Sequence, residues 1–136
     1  IMQQKGSDIA LFGNGVLLPR LLAAADILDK MDIGVTVVEV HTVKPLDTEG
    51  VTRILNDCGA AVTAEDHNII GGLGSAIIEA SAENAPVPIA RIGLRDCFPG
   101  SGEPDELLDR YGMGINDIVN TAVATIARKE NKSRNT

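Results

Sequence analysis

Short runs of consecutive apolar residues alternate along this chain with stretches in which apolar residues recur every three or four positions. The first run, Ile9-Ala10-Leu11-Phe12, follows Gly6-Ser7-Asp8 and stops at Gly13-Asn14-Gly15, as a buried strand bounded by turn residues does. Leu17, Leu21, Ala24, Leu28 and Met31 then fall on one helical stripe, with Pro19 in its first turn, where a missing N–H costs little. Gly34 is expected to stop this helix. Residues 35–40 are rich in β-branched side chains and almost wholly apolar, the mark of a strand buried on both faces. Asp47 or Thr48 can cap a helix that places Val51, Ile54, Leu55 and Cys58 together. A third strand is expected over 60–64, a helix from Leu73 with Ile77, Ile78 and Ala80, and a fourth strand over 88–94. Pro104 opens a short helix that Gly112 ends. Asn116 caps the last helix, whose apolar residues are Ile115, Ile118, Val119, Ala122, Val123 and Ile126.

Apolar strands joined by amphipathic helices imply a parallel sheet covered on both faces, so the expected fold is α/β, a three-layer sandwich of the doubly wound kind. At 136 residues and 44% hydrophobic content, the chain is one domain with one substantial core. The domain is expected over 1–127, and 128–136 as a disordered basic tail, since no apolar residue follows Ala127.

Charge and composition exclude several functions. A net charge of −7, no Trp, one Tyr and two Phe give neither the positive field nor the stacking rings of a nucleic-acid binder. No apolar run approaches the ~20 residues that span a membrane. Cys58 and Cys97 form no CxxC pair and are read as free thiols in a reducing compartment. The start at Ile1 has no signal-peptide pattern and suggests a fragment; the expected location is cytoplasmic.

Ligands of an open parallel sheet lie beyond the carboxyl ends of its strands. Gly13-Asn14-Gly15 hints at a dinucleotide turn, but Leu18 stands where the third glycine is needed, and the segment reads as a tight strand-to-helix connection. His41, before Lys44-Pro45, reads as polar loop. Ser101 fails GxSxG because Pro99 and Glu103 occupy the glycine positions. An acidic pair at the end of the first strand, which a phosphoreceiver domain needs to hold magnesium, is replaced by Leu11-Phe12-Gly13-Asn14. The most informative stretch is 65–75. Glu65, Asp66 and His67 close a strand, then Gly71, Gly72, Gly74 and Ser75 surround a helix N-terminus. Its bare N–H groups suit an anion, whereas glycines also let helix and strand pack closely while acids and His67 face a partner. Glu65, Asp66, His67, Gly71, Gly72, Gly74 and Ser75 are therefore the candidate anion-binding or interface loop. No catalytic, cofactor-binding or metal-ligating residue is assigned.

The order of motifs adds to this. Gly6-Ser7-Asp8-Ile9-Ala10-Leu11, Gly34-Val35-Thr36-Val37-Val38 and Thr42-Val43-Lys44-Pro45-Leu46-Asp47 resemble the C-terminal domain of transketolase. So do Val62-Thr63-Ala64-Glu65-Asp66-His67, Gly71-Gly72-Leu73-Gly74-Ser75, Arg91-Ile92-Gly93-Leu94-Arg95-Asp96, Ser101-Gly102 and Tyr111-Gly112. Position 66 holds Asp where the family more usually has Glu. Deoxyxylulose-phosphate synthases and 2-oxo acid dehydrogenase beta subunits carry similar domains.

The resemblance implies a five-stranded mixed sheet, mostly parallel, with one antiparallel strand from residues 1–4. It implies an enzyme that transfers a two-carbon ketol unit between sugar phosphates with thiamine diphosphate and a divalent metal such as Mg. That cofactor lies between a pyrimidine-binding and a pyrophosphate-binding domain. Neither the GDG-to-NN metal motif nor the pyrimidine-domain glutamate is present here. The chain alone is thus expected to be inactive, to dock on the pyrimidine-binding and pyrophosphate-binding domains or subunits, and to widen a homodimer contact. The alternatives are the C-terminal domain of a deoxyxylulose-phosphate synthase or of a 2-oxo acid dehydrogenase beta subunit, or a regulatory small-anion binding module.

Overall fold

The computed structural model describes residues 2–4, 6–41, 45–68, 72–94 and 112–134, with backbone alone at 2–4, 16, 66–68, 94 and 132–134. Five strands, β1 (Met2–Gln4), β2 (Ile9–Gly13), β3 (Val35–Glu39), β4 (Ala61–Asn68) and β5 (Ile89–Leu94), form one sheet in the order β1-β3-β2-β4-β5. The last four are parallel, and β1 runs antiparallel along β3, where the family resemblance places it. Helices α1 (Leu18–Lys30), α2 (Thr48–Cys58), α3 (Leu73–Asn84) and α4 (Ile115–Arg134) complete the described elements, with a 3-10 turn at Gly15–Leu17 leading into α1. The helix expected from Pro104 lies outside the described residues.

Both faces of the sheet are apolar, because alternate residues of each central strand point to opposite sides. Ile9, Leu11, Val37 and Val62 pack with Leu21, Ala25 and Leu28 of α1 and with Ile118 and Ala122 of α4. Ala10, Phe12, Val38 and Ala61 pack with Val51 and Leu55 of α2 and with Leu73 and Ile77 of α3. The result is the three-layer sandwich that the alternation of runs and stripes implies.

Boundaries differ from the sequence pattern in instructive ways. Helix α1 ends at Lys30, four residues before Gly34. Asp32 adopts a left-handed conformation (φ 64°), the Ile33 N–H bonds the Leu28 carbonyl and the Asp32 N–H bonds the Asp29 carbonyl, both at 3.0 Å. This is a Schellman stop with an aspartate where glycine is usual, and Ile33 packs against the core cluster that contains Leu28. Met31, past the stop, is 49% exposed, so it leaves the apolar stripe. Replacing exposed Asp32 by Gly is expected to raise stability by about 0.5 kcal/mol, read as a higher urea midpoint with unchanged slope.

Asp47 is the cap of α2, accepting from the Gly50 N–H at 3.1 Å. The last helix starts one residue before the expected cap. Asp117, in its first turn, reaches back to the Gly114 N–H at 2.9 Å, one half of a capping box, so Asn116 lies inside the helix. The segment from Arg128 onward, expected to be disordered, is helical through Arg134. A helix already nucleated adds residues cheaply, and Arg, Lys and Glu are good helix formers, so loss of apolar residues does not end it. No described helix is long and apolar enough to cross a membrane.

Candidate functional site

The connection from β2 to β3 steps to one side of β2, and the next returns past it to β4. The carboxyl ends of β2 and β4 therefore flank the switch point, where this architecture binds ligands. Gly13 and Ala64 stand there in register. A β-carbon on Gly13 would meet Leu21 and lie 3.1 Å from the Ala64 carbonyl. Leu21 and Leu17 are fully buried, and the 3-10 turn packs on β4. Glycine at the end of β2 thus lets helix α1 close onto the sheet, and the crevice is filled by leucine. Gly13-Asn14-Gly15 is a close-packing turn.

Next to it lies the N-terminus of α3. The α3 cap residue is Gly72, which has no side chain to bond the first N–H groups. That task falls to Glu65 of β4. Its carboxylate is 2% exposed and accepts from the Leu73 N–H at 2.6 Å and the Gly74 N–H at 3.2 Å. A buried anion on unpaired backbone donors at the positive end of a helix is charge-assisted hydrogen bonding. The glycines make room for it. A β-carbon on Gly72 would collide with the Glu65 carboxylate, and one on Gly74 would lie 2.8 Å from the Thr63 hydroxyl and 2.9 Å from Cδ of Arg91. The Thr63 hydroxyl is buried without a hydrogen-bond partner among the described residues.

Of the seven candidate residues, then, Glu65, Gly72 and Gly74 meet at one point, and Ser75 is half-buried in the first turn of α3. Asp66 and His67 continue β4, which runs three residues beyond Glu65 because Asn68 pairs with Leu94 after a register shift. The side chains of Asp66 and His67, and Gly71, lie outside the described residues. Two residues past the end of β3, His41 is exposed and its Nε2 lies 2.9 Å from Oε1 of Glu39, a pair that agrees with reading His41 as polar loop.

A second polar cluster, at the amino-terminal ends of β2 and β3, was not evident from motifs. Thr36 donates to the Gly6 carbonyl at 2.5 Å and accepts from the Gly6 N–H at 3.1 Å, while Asp8 accepts from the Gly34 N–H at 2.6 Å. The buried Cys58 thiol lies 3.7 Å from both the Gly6 carbonyl and the Thr36 hydroxyl. Burial pushes this thiol above its ordinary value, against the Thr36 hydrogen bond, which pulls it down; nearby Asp57 adds to the rise. The folded protein holds this proton more tightly than the unfolded chain does. Its contribution is complete below the unfolded thiol value of about 8.5 and is lost as pH climbs through the higher folded value. The urea midpoint is expected to fall with alkaline pH more steeply in the parent than in Cys58→Ala, and equal slopes would contradict this assignment.

No group of three or more His, Cys, Asp or Glu among the described residues is arranged to hold a metal ion. The donors that would suit a diphosphate, the first N–H groups of α3, are already held by Glu65. The described residues therefore do not fit a thiamine diphosphate site.

Comparisons with known proteins bear on this arrangement. The sequence model of the family described as "Transketolase, C-terminal domain" matches residues 1–118. A 6-deoxy-6-sulfo-D-fructose transketolase subunit, SqwH, of Clostridium sp. (strain MSTE9) is 43% identical over 126 residues, 93% of this chain and 39% of the relative. A putative transketolase C-terminal section of Methanocaldococcus jannaschii is 40% identical over 114 residues, 83% of this chain and 35% of the relative. A 1-deoxy-D-xylulose-5-phosphate synthase of Symbiobacterium thermophilum is 34% identical over 128 residues, 93% of this chain and 20% of the relative. Among solved structures, a split-gene transketolase in an inactive β4 tetramer superposes with a TM-score of 0.88 at 34% identity, covering 95% of this chain and 43% of that one. The chain spans about two fifths or less of the length of these proteins.

Proposed function

The chain belongs to the transketolase C-terminal domain family, and we propose that it is the assembly domain of an enzyme moving a two-carbon ketol unit between sugar phosphates. The observation that carries this reading is the occupancy of both ligand positions of the fold by the chain's own groups. Leucine fills the switch-point crevice and Glu65 caps α3. A domain built this way offers shape and surface; the reacting centre, with thiamine diphosphate and Mg, belongs to pyrimidine-binding and pyrophosphate-binding domains or subunits elsewhere. Glu65 then acts by joining β4 to the start of α3, and Asp66 and His67, next along β4, are proposed as partner contacts. The neighbour's description as an inactive β4 tetramer supports activity that depends on a further chain. Identities of 43% and 40% to two transketolase-type proteins support ketol transfer as the chemistry. A homodimeric complete enzyme and a cytoplasmic location belong to the same reading.

The test is reconstitution. The purified chain with thiamine diphosphate, Mg, a ketose phosphate donor and an aldose phosphate acceptor is expected to give no transfer. Adding the polypeptides that carry the two missing domains is expected to give transfer and a co-eluting complex. Transfer by the chain alone would refute the reading.

A further inference from the structure

Ile78 and Ser81 of α3, Val87 and Pro88 leading into β5, Ile89 of β5 and Arg128 of α4 line an open, mainly apolar groove of about 380 Å³ beside the outermost strand of the sheet. The Ser81 hydroxyl is already satisfied, donating to the Ala85 carbonyl at 2.7 Å and accepting from the Val87 N–H at 3.3 Å, so it adds no polar demand. Arg128 is exposed and has no hydrogen-bond or ion-pair partner among the described residues. Strand β5 is last in the sheet, and among the described residues no strand pairs with its outer side.

We infer that this groove docks an extended peptide segment of a partner polypeptide, apolar in its body and bearing a carboxylate that pairs with Arg128. Three features select that occupant. The apolar wall takes alternate side chains of an extended segment that passes Ile89 on the outer side of β5, where no described strand pairs. Arg128 presents a fork of donors matched to a carboxylate. The field restricts the position: the chain carries a net −7, whereas the end of α4 holds Arg128, Lys129, Lys132 and Arg134 against Glu130, so an acidic segment is repelled over most of the surface and attracted here. The inference rests on the assembly reading only for the source of the peptide.

The probe is an acetylated, amidated hexapeptide alternating valine and glutamate, titrated into the isotope-labelled chain and followed by amide chemical shifts. Saturable shifts at Ile78, Val87 and Ile89 are expected. Binding should weaken about fivefold in Arg128→Gln, and about fivefold when the peptide's glutamates become glutamines, the size of one exposed ion pair. Absence of saturation at millimolar peptide, equal binding by Arg128→Gln, or butyrate binding as tightly as the hexapeptide would each overturn the inference. Because Arg128 is exposed and unbonded to the described fold, Arg128→Gln is expected to melt like the parent. If the peptide binds as described while reconstitution fails, the assembly reading falls and the groove stands.

Discussion

Glu65→Ala is expected to lower the stability of the folded chain by about 2–4 kcal/mol, the largest single loss argued for this fold. The variant removes a buried carboxylate and leaves the Leu73 and Gly74 N–H groups at the start of α3 with nothing to bond. Each hydrogen bond to a charged group contributes about 1.5–3 kcal/mol, and a donor left buried and unpaired costs about 1–3 kcal/mol. Against this, the variant no longer has to desolvate a charge, which keeps the net effect below the sum. Glu65→Gln should lose about 2 kcal/mol, because the amide keeps one acceptor but turns its NH2 toward a backbone N–H. Urea melts of the two variants check this. Glu65→Gln at parental stability would show that a neutral acceptor suffices and that charge at the helix end contributes little.

A coupling measurement isolates the contact. All three nearest atoms to a β-carbon placed on Gly72 belong to the Glu65 carboxylate. Gly72→Ala should therefore cost stability in the parent and much less in the Glu65→Ala background, where the obstruction is gone. Additive losses would mean that Gly72 is required for its backbone rather than for room. Loss of the Glu65 contact with the start of α3 should also weaken association with the partner polypeptides more than the loss of folded protein alone explains.

Local pattern made the layers legible. The apolar runs are the four parallel strands, and Val51, Leu55 and Cys58 of α2 point into the core from the stripe they share in the sequence. Glu65, Gly72 and Gly74 were legible as a group because an acid closing a strand and glycines opening a helix stand within ten residues. Which acid faces inward was not, because the choice is made by the pleat of β4 against α3, a tertiary fact. The strand itself runs past the acids to Asn68, against the low strand propensity of Asp and Asn, since pairing with β5 overrides it. The stop of α1 at Asp32 was hidden because aspartate tolerates the left-handed region without announcing it as glycine would. Strand β1 is three residues long and was visible only through family resemblance. The cluster of Gly6, Asp8, Gly34, Thr36 and Cys58 joins positions up to 52 residues apart and has no local signature.

That cluster explains why the domain does not end at Ala127. Lys129 sends its ammonium back to the amino-terminal end of the sheet, donating to the Asp8 carbonyl at 2.8 Å and to the Cys58 carbonyl at 2.9 Å. Cys58 is the last residue of α2, so its carbonyl is among those a helix leaves unbonded, and a cation there also meets the negative end of the helix. Gly59 follows in the left-handed conformation (φ 71°), where a β-carbon would lie 3.0 Å from Cδ of Lys129, so the lysine stem rests on the glycine that ends α2. One side chain thus ties α4, the entry to β2 and the exit of α2 together. Lys129→Met keeps the stem and deletes the donors; its expected cost is about 2–3 kcal/mol, two charge-assisted bonds discounted for the partial exposure of the site. That corresponds to a fall in melting temperature of roughly 10 °C for a chain of this size. Arg128→Met, one residue away on the exposed side, should stay within about 0.5 kcal/mol of the parent. Shortened chains give the sharper contrast. A chain ending at Glu130 should melt near the parent, and one ending at Ala127 should melt with Lys129→Met. If both shortened chains melt alike, the lysine contact is not what holds the end of α4 to the sheet.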